Sequence, residues 1–489
     1  MAEAGFGVLL LFCFLASGLV YYINCPENGN KTETRERPNI IIILADDIGW
    51  GDLWTKQSDN TTPWLNMLKL EGKRLTDFHS PASTCSPSRA ALLTGKWHLG
   101  HNGLYNPIHR GFDYYLGIPY SNDMGCTDMP GFNLPSCSPC GKYRSRKHGG
   151  CDTKIALPLF ENQSILEQPL DLWNLTGQYA KAASRQILTA RKRGQPLLLY
   201  VALAHMHVPL FHYRLLNVTA KDAYSASLSD MDNLVGSIKL AAEMFSMENT
   251  LIWFTGDNGP WEQKCQFAGS AGPFLGRWQT SRGGGSAKKT TWEGGHRVPT
   301  VVLWPGRISP NTSSNALLSG LDIFPTVLSL AGVEPPSDRR YDGIDITHVL
   351  LHDSDTGHKA WHHSETVSLM HPNSGAAGQF GDLQTVRVGR HKAFYITGSA
   401  EACGGAKGKQ QMHDPPLIFE LSRDVAEGSP LDPSSVEYQA VLREVERERE
   451  AVLWDIATDN VSTADYSITQ AAFPCCQPHN PVCRCHSVG

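Results

Sequence analysis

A cysteine and an arginine stand at the start of a predicted helix, Cys85 and Arg89 in the stretch 84–95. Ser86 and Pro87 are typical of a helix cap and first turn, and residues 90–93 favour continuation of the helix. Backbone N–H groups at a helix N-terminus attract negative charge, and Arg89 adds a cation one turn on. The stretch therefore predicts that an anion binds beside Cys85. A half-buried cysteine before an ordinary helix, or half of a disulfide, is the alternative.

Polar residues follow three predicted strands at the point where each strand ends. The strands are apolar, largely β-branched runs at 38–45, 196–203 and 250–255, a pattern typical of strands covered on both faces. Helical patterns at 179–193 and 228–244 lie between them. This alternation predicts an α/β fold with a large, mostly parallel, doubly wound sheet, which binds ligands beyond the carboxyl ends of its strands.

Four oxygen-bearing side chains are expected to meet at that edge of the sheet. Asp46 and Asp47 follow the first strand, and Asp257 and Asn258 follow the third. Because the four are hard oxygen donors without cysteine or histidine among them, they favour Ca²⁺ or Mg²⁺ over zinc. The sequence therefore predicts a divalent metal site. Residues that merely cap loops are the alternative for either pair taken alone.

The stretch around Cys85 resembles the signature of a known enzyme family. Residues 85–95 read Cys-x-Pro-Ser-Arg-x-x-x-Leu-Thr-Gly, which is similar to the signature of the type I sulfatases. The resemblance implies that a formylglycine-generating enzyme oxidises Cys85 to Cα-formylglycine, whose hydrate attacks the sulfur of a sulfate ester, and that the four oxygen donors bind one Ca²⁺. A tyrosine-phosphatase loop is excluded, since it needs five residues between its cysteine and arginine and this chain has three.

Further motifs extend the resemblance to most of the chain. Residues 96–100 resemble the Lys-Trp-His-Leu-Gly box of the family, which implies that Lys96 and His98 contact the formylglycine oxygens. His207, in His-x-His-x-Pro, aligns with a histidine that contacts the ester oxygen. Lys288 aligns with a sulfate-binding lysine, and Ser121 with a serine near the site.

The chain departs from the family pattern between Gly95 and Lys96. In the family several dozen residues separate the two motifs, whereas here they adjoin. An intact helix would place the Cα atoms of Cys85 and Lys96 roughly 16 Å apart, and a lysine side chain spans only about 6 Å. We therefore expect either that the helix unwinds or that Lys96 and His98 leave the site.

The N-terminus and the glycosylation sequons indicate a secreted or lysosomal glycoprotein. The apolar run 6–22 predicts a signal peptide at 1–24, with a membrane anchor as the alternative, and no stable membrane association is expected. Thirteen cysteines agree with an oxidising compartment. Candidate glycosylation sites are the seven Asn-x-Ser/Thr asparagines, Asn30, Asn60, Asn162, Asn174, Asn217, Asn311 and Asn460.

The length of the chain indicates its domain organisation, and its net charge indicates the class of partner. A chain of 489 residues accommodates a catalytic α/β domain, expected at 36–375, and a smaller C-terminal antiparallel α+β domain with a cysteine-rich tail, expected at 376–489. Antiparallel strands are predicted at 383–388 and 392–397, and a charged helix at 436–456. The net charge of −5 argues against nucleic acid as a partner.

The function predicted from these features is hydrolysis of sulfate esters on sulfated sugars or aryl sulfates. Resemblance to one lysosomal branch of the family, carried by stretches such as 205–209 and 371–378, implies glucosamine 3-O-sulfate groups of heparan sulfate as the substrate. A catalytically impaired glycoprotein that keeps the fold, as in a splice variant, is the alternative that the short join supports. A phosphate-ester hydrolase relative with a Ser or Thr nucleophile is a third interpretation.

Overall fold

A six-stranded mixed sheet forms the centre of the part of the chain that the structure describes. Its strands are β1 (Asn39–Ala45), β2 (Lys73–Leu75), β3 (Leu198–Ala202), β4 (Thr250–Gly256), β5 (Thr300–Leu303) and β6 (Thr312–Ser314), in the order β6-β2-β5-β4-β1-β3. The β4–β1, β1–β3 and β6–β2 pairs are parallel, and β5 runs antiparallel to both neighbours. The structure is a computed structural model and describes residues 37–54, 61–85, 88–89, 106–119, 121–123, 125–126, 152–168, 170–210, 220–245, 248–337, 341–352, 354–358, 368–372 and 383–458.

Helices cover both faces of the sheet, as the β-branched runs predict. They are α1 (Pro63–Glu71), α2 (Leu172–Arg193), α3 (Ala220–Met244) and α4 (Ile323–Ala331). Ile41 and Ile43 of β1 belong to one apolar cluster with buried residues of α2 and α3, while Ile40 and Ile42 belong to another with α4. Successive residues of a strand point to opposite faces, so an unbroken apolar run is needed when both faces are covered. Burial of each isoleucine contributes about 1.5–3 kcal/mol.

The described residues from 37 to 358 are here called the catalytic region, and its remaining elements are short. The short strands are Phe78–His79, Leu116–Gly117, Gly125–Cys126, Asp152–Ala156, Leu159–Glu161, Ser164–Glu167 and Leu318–Ser319. The short helices are Trp50–Leu53, Pro107–Arg110, Glu262–Phe267, Arg277–Thr280, Glu293–His296, Gly320–Asp322 and Thr347–Leu351. Among the described residues, no helix is both long and apolar enough to cross a membrane.

The C-terminal region forms a separate antiparallel sheet. Its order is β7 (Ser368–Pro372), β8 (Leu383–Val388), β9 (His391–Thr397) and β10 (Gln411–Glu420), and helix α5 (Val436–Thr458) packs on one face. The observed bounds agree with the predicted strands and helix. The domain boundary between residues 375 and 376 stays a prediction, and β7, which precedes it, pairs with β8.

The other face of this sheet meets the catalytic region through stacked aromatic rings and buried charges. The Trp292 indole stacks on Phe394 of β9 with ring centres 4.0 Å apart. Beside it, Lys392 Nζ lies 2.9 Å from Glu293 Oε1 and 3.2 Å from Glu427 Oε1, and all three side chains are buried. Two carboxylates thus share one ammonium group in a water-poor junction.

This arrangement predicts a pH dependence of stability. Burial, with Glu293 nearby, raises the pKa of Glu427 from 4.5 to about 7 although Lys392 opposes the shift. A carboxyl whose pKa is raised on folding stabilises the protein most below pH 4.5, and this contribution is lost as the pH rises through 7. Glu427→Gln, which carries no titrating proton, is therefore expected to remove about 2 kcal/mol of the decline in unfolding free energy between pH 5 and pH 7.5.

Urea unfolding at the two pH values measures this effect. Glu334→Gln is the matched control because Glu334 is exposed, so its substitution should leave the pH dependence unchanged. An equal decline in the wild-type and Glu427→Gln proteins would contradict the assignment.

Candidate active site

The ends of β1 and β4 bring the four predicted oxygen donors together. Ala45 pairs with Gly256 in parallel register, so the residues that follow each strand are neighbours. The Asp47 backbone N–H donates to Asp257 Oδ1 (3.2 Å), and Asn258 Nδ2 donates to Asp47 Oδ1 (2.7 Å). Asp46 lies in the same buried group.

Cys85 lies directly against these carboxylates. Its thiol donates to Asp46 Oδ1 (3.1 Å) and lies 3.8 Å from Asp47 Oδ1. The residue begins a helical turn, since Ser88 N–H donates to the Thr84 carbonyl (3.2 Å), so Cys85 lies at a helix start as predicted. The predicted cap and first turn, Ser86 and Pro87, lie outside the described residues. Burial, followed by the negative charges of Asp257 and Asp46, raises the pKa of the Cys85 thiol well above its ordinary value. The unmodified side chain is therefore a poor source of thiolate.

Arg89 is buried completely and holds two of the carboxylates. Its Nε lies 2.5 Å from Asp257 Oδ2, and its Nη2 lies 3.3 Å from Asp46 Oδ2. One helical turn separates Arg89 from Cys85, so the same helix start positions both side chains. The cation that the sequence predicts beside Cys85 thus also neutralises the edge of the sheet.

Lys288 and His207 reach the same point from two further loops. Lys288 Nζ donates to Cys85 Sγ (3.2 Å) and lies 2.5 Å from Asp47 Oδ1. His207 Nε2 lies 3.7 Å from Asp47 Oδ2, while its Nδ1 lies 2.7 Å from the Val208 carbonyl. Because a carbonyl only accepts hydrogen bonds, this contact assigns the proton of a neutral His207 to Nδ1.

The donor set fits a divalent cation of the hard, oxygen-binding class. Asp47 Oδ2 and Asn258 Oδ1 are buried oxygens without a hydrogen-bond partner among the described residues. Three carboxylates face two fixed cations, Arg89 and Lys288, so a dication would leave one net positive charge, which suits the single negative charge of a sulfate ester. Asp46, Asp47, Asp257 and Asn258 would hold it, and oxygen donors favour Ca²⁺ or Mg²⁺.

Calcium is accordingly expected to stabilise the protein. A ligand that binds only the folded state raises the unfolding free energy by about 2.7 kcal/mol at one hundred times its Kd. Thermal unfolding in Ca²⁺ and in EDTA measures this increment. Asn258→Ala removes one oxygen donor and should reduce the increment, so an undiminished calcium response in that variant would count against the proposed ligand set.

The other predicted site residues fall into two groups. Ser121 is described and buried, with a hydroxyl that lacks a partner among the described residues, and Asn122 Nδ2 donates to the His207 carbonyl (3.4 Å). Lys96 and His98 lie outside the described residues, so their contacts with Cys85 stay predictions.

The predicted glycosylation sites divide in the same way. Asn162, Asn174 and Asn311 are exposed, as glycosylation requires, whereas Asn30, Asn60, Asn217 and Asn460 lie outside the described residues together with the predicted signal peptide and the cysteine-rich tail.

Trp261 is a site residue that sequence reasoning missed. Its ring centre lies 5.0 Å from the His207 ring and 4.3 Å from the ammonium groups of both Lys288 and Lys264. Lys289 Nζ lies 5.2 Å from the same centre. The available signal was its position directly after the loop that carries Asp257 and Asn258, but a tryptophan there is more often a core residue.

Comparison with known proteins identifies the family. The Sulfatase family profile matches residues 38–111 and 94–333, and the profile of the C-terminal region of aryl-sulfatase matches residues 364–485. The chain is 50% identical to arylsulfatase G of Canis lupus familiaris, with 95% of this chain and 94% of the relative covered. Arylsulfatase G of Rattus norvegicus is also 50% identical, and 98% of each chain is covered.

Solved structures agree on the fold. The PsFucS1 sulfatase from Pseudoalteromonas sp. superimposes with a TM-score of 0.66 over 87% of this chain and 92% of that one, at 21% identity. The alignment with the rat relative runs over 529 positions, more than the 489 residues of this chain, so this chain has gaps in it. Its sequence, its α/β fold and its C-terminal region establish that the chain belongs to the sulfatase family of sulfuric ester hydrolases.

Proposed function

We propose that this protein hydrolyses sulfate esters of sulfated sugars, using a formylglycine derived from Cys85 and a Ca²⁺ ion held by Asp46, Asp47, Asp257 and Asn258. The observation that carries the proposal is the contact of the Cys85 thiol with Asp46 and with the Lys288 ammonium group. A residue that attacks a sulfate ester needs a metal site on one side and a cation for the sulfate oxygens on the other, and Cys85 has both neighbours.

The unmodified cysteine is poorly suited to this reaction, which supports its conversion. In the absence of a metal ion, burial and the carboxylates of Asp257 and Asp46 oppose formation of a thiolate at Cys85. The hydrated aldehyde that replaces the thiol supplies a hydroxyl nucleophile, and the metal ion supplies a Lewis acid for the sulfate oxygens. The roles proposed for the aldehyde and for the metal ion rest on the chemistry of the residues present and on the family resemblance.

The remaining side chains have roles that their positions favour. Lys288 and Arg89 stabilise the negative charge that develops on the sulfate oxygens. His207 directs its Nε2 toward Asp47, while its Nδ1–H is held by the Val208 carbonyl. A proton taken up at Nε2 is the one that His207 would give to the departing alcohol oxygen. Lys96 and His98 would assist at the nucleophile if the short join leaves them within reach.

Sulfated glycans are the proposed substrate class. The relatives at 50% identity are named arylsulfatase G, and we extend the proposal to the glucosamine 3-O-sulfate groups of heparan sulfate on the strength of that resemblance. One protein of similar fold, at 15% identity and a TM-score of 0.53, is described in complex with its substrate D-glucosamine-2-N,6-O-disulfate. The exposed sequons and predicted signal peptide favour maturation in the secretory pathway, encounter with the formylglycine-generating enzyme, and delivery to lysosomes.

A catalytically impaired glycoprotein is the second candidate. The observation that favours it is the gapped alignment with the rat relative, which agrees with the short join between Gly95 and Lys96. Such a form would keep the fold and the anion site without turnover.

Two measurements on the secreted protein separate the candidates. Peptide mass spectrometry across residue 85 detects the aldehyde, and release of the phenol from an aryl sulfate ester detects turnover. Aldehyde together with turnover is the expected result. An unmodified thiol without turnover would support the impaired glycoprotein instead.

A further inference from the structure

A polar cavity lies beside the candidate active site, between the catalytic region and the C-terminal sheet. Its volume is about 190 Å³, and its walls include Gln263, Lys289, Thr290, Gln384 and Thr397. An apolar cavity of about 150 Å³ accommodates a benzene ring, so this cavity has room for one sugar ring. Amide and hydroxyl groups, which dominate these walls, are suited to the hydroxyl groups of a sugar. Two further charged side chains, Glu401 and Lys407, also line the cavity and pair with each other (3.6 Å), so Lys289 is the cation among the described lining residues that has no lining carboxylate beside it.

Lys289 joins the cavity to the sulfate-binding residues. It follows Lys288 in the chain and has a positive φ of 72°, which few non-glycine residues adopt. Its backbone N–H donates to the Ser83 carbonyl (2.8 Å), which anchors this turn near Cys85. The turn gives the two lysines different surroundings: Lys288 is buried against Cys85, whereas Lys289 is exposed and lines the cavity.

The charge beside the cavity favours an anionic group. The ammonium groups of Lys264, Lys288 and Lys289 all lie within 5.2 Å of the centre of the Trp261 ring. Partial desolvation of its ammonium group and the positive charge of Lys288 lower the pKa of Lys289, although Asp47 and Asp123 oppose the shift. A carboxylate or sulfate group beside Lys289 would relieve the repulsion among these cations.

The far wall of the cavity is held in place by several independent contacts. It is the loop 398–410 between β9 and β10, in which Gly398 N–H donates to Gln279 Oε1 (2.9 Å) and the Ala400 carbonyl accepts from Gly285 N–H (3.0 Å). A disulfide joins Cys403 of this loop to Cys265, 138 residues earlier in the chain. The loop is therefore a preformed wall, which lowers the entropic cost of binding.

We propose that this cavity is a subsite for the sugar adjoining the one that carries the scissile sulfate, and that Lys289 binds an anionic substituent of that adjoining sugar. The inference rests on the proposed function and deepens it, since it assigns the substrate class as glycans with a second anionic group on the neighbouring ring. A uronic acid carboxylate and a second sulfate share the required chemistry.

Calorimetric titration of the full chain carrying Cys85→Ala tests the proposal without turnover. The probes are three synthetic disaccharides with the same sulfated glucosamine, joined to glucose, to glucuronic acid, or to glucose bearing a sulfate. We expect the two anionic disaccharides, or one of them, to bind about tenfold more tightly than the neutral one. The stronger of the two identifies the natural anion.

A second substitution assigns the effect to Lys289. Lys289→Ala is expected to reduce the tenfold advantage to less than twofold, whereas Lys409→Ala, which removes an exposed lysine of the loop 398–410 that does not line the cavity, should preserve it. Equal affinities for all three disaccharides, no binding of any of them, or an advantage that survives Lys289→Ala would overturn the subsite. Failure of the proposed function is seen separately, as absence of aryl sulfate turnover by the wild-type protein.

Discussion

Replacement of Cys85 by alanine is expected to lower turnover of an aryl sulfate ester on the order of 10⁴-fold or more, to the background rate. The side chain supplies the only atom that we assign to attack on sulfur, and alanine leaves neither thiol nor aldehyde. The unfolding free energy should change by less than about 1 kcal/mol, because the thiol is small and makes only weak sulfur hydrogen bonds. The folded protein is thus expected to survive the substitution that removes its activity.

Turnover and urea unfolding of the same preparation test both halves of this prediction. Lys409→Ala, an exposed substitution, serves as the control for expression and handling. Substantial sulfate ester turnover by the Cys85→Ala protein would remove Cys85 from the mechanism, whatever the state of the rest of the site.

Replacement of Arg89 by methionine is expected to have the largest effect on stability, a loss of about 3–5 kcal/mol. Arg89 is completely buried and pairs with Asp46 and Asp257, so its removal leaves two carboxylates without their cation in a region that excludes water. Burial, together with Asp46 and Asp47, already raises the pKa of Asp257 to about 7 in the presence of Arg89. The substitution removes a positive charge beside Asp257, so the pKa of Asp257 should rise further.

Chemical unfolding in EDTA measures the loss free of any compensation by metal ions. Arg185→Met is the matched control: its ion pair with Glu161 is short (2.6 Å) but its side chain is 57% exposed, so a loss below about 1 kcal/mol is expected. Similar losses in the two variants would show that burial of the Arg89 ion pairs does not determine their contribution.

Much of the fold was predictable because it depends on local patterns. The apolar runs that became β1 and β4 are continuous in sequence, and strand ends that lie side by side in a parallel pair necessarily present the next residues together. The convergence of Asp46, Asp47, Asp257 and Asn258 follows from this rule. The helix start at Cys85 is equally local, since the cap, the proline and Arg89 lie within five residues.

Contacts between distant segments were not predictable in the same way. The sequence left all disulfide partners open, and the Cys265–Cys403 pair depends on how the β9–β10 loop meets the catalytic region. The antiparallel direction of β5 was also hidden, because an apolar run looks the same in either direction. The burial of Glu427 beside Lys392 is a third case: nothing in a loop sequence marks a carboxyl that will face a distant strand.

By itself, the sequence predicted that a cysteine, an arginine and four oxygen donors lie close together, because each follows the end of a strand or the start of a helix. Only the tertiary structure decided which cation pairs with which carboxylate. It also decided that three lysine ammonium groups lie near the Trp261 ring and that a cavity large enough for a sugar lies beside Lys289. Such features depend on side chains from segments far apart in the chain, whose distances are set by packing of the whole domain and not by any local pattern.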